Sequence, residues 1–214
     1  MLNSLGKTVY KNLANVVSIL GILPIAILFM KDGYQYLIPL IVYNNIMDDL
    51  DGILAGKLNI RSSFGAILDN VCDAFAHTTF VMVVAMHVWT DQGDVCGGVC
   101  AALSLVAATS LVLRVVSRLD PAAVTGTGSP TNELVRHMFF ILLLSQIFGV
   151  TPAPLLITAF VFHAVSLLAP FRMPWMIRSL TKSATAIVLV NVSLVVAWLV
   201  PSSTPLIAAA FLLS

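Results

Sequence analysis

The chain is a succession of apolar runs, and their length decides most of what it can become. A helix rises about 1.5 Å per residue, so roughly 20 apolar residues cross the hydrocarbon core of a bilayer. Runs near that length occur at 13–30, 35–55, 65–89, 97–117, 134–149, 153–170, 183–200 and 203–214. The fifth and sixth are short and joined by FGVTPAP, whose glycine and prolines suit a hairpin turn. The last has about 12 residues and predicts a poor span or an interfacial segment. The expected architecture is therefore an all-α, polytopic membrane bundle of about eight helices (six to eight), in a single domain spanning 1–214. Within it, 1–11 suits an interfacial segment or a disordered tail, 12–90 carries the motifs described below, and 91–214 supplies the remaining helices.

Composition agrees. Only 10% of residues are charged and 59% are hydrophobic, too apolar for a surface facing water. A net charge of +1 gives no bulk attraction to nucleic acid, and none is expected as a partner. Cys72, Cys96 and Cys100 make no disulfide framework and read as small apolar helix residues. The first apolar run opens a series of similar ones, which argues for a span rather than a cleavable leader.

Basic residues give an independent reading of topology. With the N-terminus in the cytoplasm, Lys7, Lys11, Lys57, Arg61, Arg114, Arg118, Arg136, Arg172, Arg178 and Lys182 all fall inside. Only Lys31, of 11 Lys and Arg, falls outside. This is the bias expected of cytoplasmic loops. It puts the N-terminus, and the acidic cluster described next, on the cytoplasmic side; an integral protein of a bacterial inner membrane or an endomembrane is the expectation.

Five of the ten acidic residues lie in one stretch, DDLDGILAGKLNIRSSFGAILDNVCD, residues 48–73. Asp48 and Asp51 are three apart and share a helix face; Asp69 and Asp73 are four apart and share a face of the next helix. GKLNIRSS turns the chain between them, so four carboxylates can converge at one depth. Like charges gathered beside a bilayer are costly, and cations that neutralise them explain their persistence. All-oxygen ligation favours hard ions such as Mg²⁺, Mn²⁺ or Ca²⁺; Mg²⁺ or Mn²⁺, one or two ions per site, is the expected cofactor, and paired divalent ions suit phosphate chemistry. Asp49 points about 100° away and reads as a supporting or surface charge. Gly52, Ala55 and Gly56 remove bulk beside Asp51. Taken alone, such small residues more often mean close helix packing than space for a ligand.

Together these residues resemble the signature of the CDP-alcohol phosphotransferase family, D-x-x-D-G-x-x-A-R-(x)8-G-x-x-x-D-x-x-x-D. Asp48, Asp51, Gly52, Ala55, Gly65, Asp69 and Asp73 stand at family spacing, and Gly56 is the one departure, where the family has Arg. Lys57 and Arg61 are the nearby candidates for the missing positive charge. Upstream, NVVSILG, Asn15 to Gly21, is similar to an N-x-x-T/S-x-x-G element of many members. The resemblance implies transfer of a phosphate-linked group from a CDP-linked donor to an alcohol, with release of CMP. It implies metal ligation by Asp48, Asp51, Asp69 and Asp73, with Asp73 as general base. It also implies substrate contacts from Gly52, Ala55, Lys57, Arg61 and Gly65, and a homodimer. Arg114 and Arg118, sharing a helix face at the cytoplasmic end, are further candidates for binding substrate anions. CDP-diacylglycerol with a small polar alcohol (choline, serine, glycerol phosphate or inositol type) is the leading substrate pair. CDP-choline or CDP-ethanolamine with diacylglycerol is the alternative. An ion-coupled transporter would also use intramembrane carboxylates, but nearer the bilayer centre on broken helices. A member inactive through Gly56 is the remaining reading.

Overall fold

The computed structural model describes residues 9–119, 129–171 and 184–212. Its α-helices are α1 (Leu13–Ile22), α2 (Leu37–Lys57), α3 (Ser63–Gln92), α4 (Val95–Leu119), α5 (Thr131–Phe148), α6 (Ala153–Leu168), α7 (Ala184–Leu199) and α8 (Thr204–Leu212). A 3-10 segment, Leu23–Phe29, extends α1, and a second, Gly33–Tyr36, leads into α2. No strand occurs among the described residues. Each expected apolar run has become one of these helical elements. Lys7, Arg172, Arg178 and Lys182 lie outside the described residues, as does most of the expected interfacial segment.

Local chemistry sets the ends. Ser62 caps α3, its hydroxyl accepting the Gly65 N–H at 3.0 Å. Gly93 and Gly149 take left-handed φ values of 63° where α3 and α5 stop. The polar last turns of α2, from Asn44 onward, are the ones that carry the site. By length and composition α3 and α4 are each able to cross a membrane. The stretch Leu13–Phe29, α6 and α7 are shorter apolar helices. With 9 residues, α8 extends about 14 Å and falls short of a crossing.

The bundle is apolar outside as well as inside. Phe29, Val165 and Leu206 are more than two-thirds exposed, whereas Phe80, Leu111, Phe139, Phe140 and Phe160 are fully buried. A surface of that kind suits lipid and would aggregate in water. Helix α5 is enclosed along most of its length, from Glu133 to Leu143. Helix α1 packs against both α2 and α3, which share less surface with one another than each does with α1. That wedge brings the acidic ends of α2 and α3 into one site.

Candidate active site

Three elements build the site from below. Asn15, Ser18 and Gly21 form one stripe of α1, and each has a contact that explains it. Ser18 donates its hydroxyl to the Asp51 carboxylate. A Cβ at Gly21 would stand 3.0 Å from that of Met47, so glycine lets α1 and α2 cross closely. A Cβ at Gly65 would stand 2.9 Å from Asn15 Oδ1 and 3.1 Å from Ser62 Oγ, so glycine there lets α1 approach α3.

Asp48, Asp51 and Asp69 present oxygens that lie within 4.8 Å of one another. Asp73 lines the same cavity as these three aspartates. Asn132, in the first turn of α5, donates to Asp48 at 3.0 Å. Two unit charges at such separations repel by about 3.5 kcal/mol at an effective dielectric of 20. A cluster with that self-repulsion and only oxygen donors fits a hard divalent cation.

Two cavities meet at the cluster. The larger, about 680 Å³, is polar; besides the aspartates it is lined by Lys57, Arg61, Arg118 and Arg136. The smaller, about 220 Å³, runs between α1, α2 and α3 and is lined by Asn15, Gly52, Ala55, Arg61 and Gly65 among others. A Cβ at Gly52 would meet nothing within 4 Å. Its missing side chain leaves open space beside Asp51. A third cavity, about 330 Å³ and apolar, lies between α2 and α7 and shares Asp49, Ile53 and Ile187 with the polar one.

Asp49 sits at that boundary. It accepts hydrogen bonds from Asn191 of α7 at 2.6 Å and from Asn45 at 3.2 Å. Asn45 in turn donates to Asn191 at 2.8 Å and accepts from Arg136 at 3.2 Å. Arg136 closes the network in an ion pair with Glu133 at 3.0 Å. The expectation for Arg114 changes. One helical turn deeper than Arg118, it is buried in the bundle and lines neither the polar nor the smaller cavity. Among the expected residues, the aspartates, Gly52, Ala55, Lys57, Arg61, Gly65 and Arg118 are brought together around the two cavities. Asn132, in the first turn of α5, carried no sequence signal that tied it to Asp48.

A helical membrane bundle with a carboxylate cluster at the junction of two cavities is the class these features define. The family model described as CDP-alcohol phosphatidyltransferase matches residues 11–213, and the chain belongs to that family. That family consists of transferases of substituted phosphate groups and uses a divalent metal. A protein of Aquifex aeolicus (strain VF5), described as an uncharacterized protein, is 29% identical over 89 residues. That match covers 42% of this chain and 44% of the relative, so the chain spans less than half of that protein's length. No solved structure matches.

Proposed function

We propose that this chain moves a phosphatidyl group from CDP-diacylglycerol to a small polar alcohol and releases CMP. The observation that carries this reading is the apolar groove between α2 and α7, which opens into the polar cavity at Asp49, Ile53 and Ile187. A donor with a charged head and acyl chains needs both surfaces side by side. The cytidine is assigned to the smaller cavity, where Gly52, Ala55 and Gly65 leave room for a ring.

Asp48, Asp51, Asp69 and Asp73 are the residues that would hold one or two Mg²⁺ or Mn²⁺ ions. Such ions, when bound, supply positive charge that offsets the diphosphate and the departing CMP. Asp73, beside Asp48 and farthest along the helix face, is assigned as general base for the acceptor hydroxyl. The hydroxyl oxygen forms a bond to the phosphorus that carries diacylglycerol. The phosphorus–oxygen bond to CMP breaks, CMP leaves with that electron pair, and the hydroxyl proton passes to Asp73. Lys57 and Arg118, which line the same cavity as the cluster, offer positive charge to the substrate anions. The bias of Lys and Arg to one side of the chain supports a cytoplasmic site and N-terminus. Lipid surrounds the bundle, and two copies pair, as the family resemblance implies.

The test is CMP release by purified protein in lipid–detergent micelles with Mg²⁺ or Mn²⁺, one CDP-linked donor and one alcohol at a time. Release with CDP-diacylglycerol that depends on one alcohol is the expected outcome. Release only with CDP-choline or CDP-ethanolamine plus diacylglycerol would replace this reading with the phosphotransferase alternative.

A further inference from the structure

The connection between α2 and α3 folds back over the helix it has just left. Asn59 takes a left-handed φ of 54°. The Ile60 N–H reaches the Ala55 carbonyl at 3.1 Å, and the Asn59 N–H reaches that of Gly56 at 3.3 Å. This is the Schellman pattern of helix termination, and it reverses the chain within two residues. Arg61 follows directly and is carried back onto α2. Its Nη2 lies 3.3 Å from the point where a Cβ on residue 56 would stand, and the other atoms near that point, at 4.0 Å, belong to the same guanidinium. The bare backbone at Gly56 is thus the seat of the Arg61 guanidinium.

The position of that guanidinium matters more than its charge alone. Asp51, Gly52, Arg61 and Asp69 line both the polar and the smaller cavity. Of these four, Arg61 carries the positive charge. Lys57 faces the polar cavity but does not line the smaller one. Arg136 is occupied by Glu133, whereas Arg61 makes no ion pair among the described residues. A planar guanidinium with several N–H groups matches phosphate oxygens in pairs, as an ammonium does not.

We infer that Arg61, seated on Gly56, holds the diphosphate of the nucleotide donor where the two cavities meet. The inference rests on the reading of the ligand as CDP-linked. It makes Gly56 a functional vacancy, because a Cβ there would push the guanidinium off by a few tenths of an ångström and a branched side chain by more.

The experiment is calorimetric titration of the full-length protein in micelles, with Mg²⁺, against CDP and separately against CMP. Arg61→Ala should weaken CDP about ten- to a hundredfold and CMP much less, the size of one lost charge-assisted contact. Arg61→Lys should recover part of the loss. Gly56→Val should reproduce Arg61→Ala, and the double variant should be no worse than either single one, because both remove the same contact. Gly56→Ala, a smaller change, should fall between wild type and Gly56→Val. An unchanged ratio of CDP to CMP affinity in Arg61→Ala, with wild type binding CDP, would overturn the inference and leave the proposed function standing. Additive losses in the double variant would overturn the seating on Gly56. A loss confined to association with anionic-lipid vesicles would assign Arg61 to headgroup phosphates and overturn it too. Wild type that does not bind CDP would overturn both the inference and the function it rests on.

Discussion

Gly65→Ala separates what the site needs from what the fold needs. A methyl at this position would stand 2.9 Å from Asn15 Oδ1 and 3.1 Å from Ser62 Oγ. Asn15 Oδ1 is the end of a flexible side chain, so it can yield. Its amide donates to Asn12 Oδ1 at 3.0 Å, and losing that bond would cost about 1 kcal/mol. Alanine is favoured over glycine in a helix by about 1 kcal/mol, which offsets most of that cost. The unfolding midpoint should therefore stay within a few degrees of wild type, given about 2–4 °C per kcal/mol for a chain of this size. Ligand binding should respond differently. Gly65 and Asn15 both line the smaller cavity, and the methyl and the displaced amide intrude there together. Overpacking of about 1–3 kcal/mol translates into roughly a 5- to 150-fold loss of CDP affinity. Thermal unfolding in micelles and calorimetric CDP titration read the two quantities side by side. A variant that loses more than about 3 kcal/mol of stability, or one that binds CDP as wild type does, would refute this account of the glycine.

Asp69→Asn should abolish CMP release while raising the unfolding midpoint in chelator, because one charge leaves a mutually repelling cluster. The rise of that midpoint on adding Mg²⁺ or Mn²⁺ should shrink in the same variant, and an unchanged rise would remove Asp69 from the cation site. Asn191→Leu removes the 2.6 Å bond to Asp49 and should cost about 1.5–3 kcal/mol in denaturant unfolding, as expected for a hydrogen bond to a charged group. No change would mean that Asn45 alone satisfies Asp49. A cysteine at Asp91, at the end of α3 remote from the acidic cluster, should react with an impermeant thiol reagent from the outside of sealed vesicles of native orientation; labelling from the cytoplasmic side alone would invert the topology.

Most of the fold was legible in one dimension because a bilayer imposes its own period on a chain. Apolar runs near 20 residues specify spans without knowledge of their partners, and the helices here follow those runs from Leu13 to Leu212. The aspartate spacings were legible for a similar reason. Residues three or four apart must share a helix face, so Asp48 with Asp51, and Asp69 with Asp73, were paired before any packing was known. What the sequence could not determine was contact between helices far apart in the chain, since hydropathy carries no information about which faces meet. Only the tertiary structure set Asn132 against Asp48, bound Asn191 to Asp49 and withdrew Arg114 from the cavity wall. It also decided the meaning of the glycines. Gly21 and Gly65 permit α1 to approach its neighbours, Gly52 borders open space, and Gly56 lies beneath the Arg61 guanidinium. A residue without a side chain takes its role from what fills the space around it, and that is a property of the folded chain.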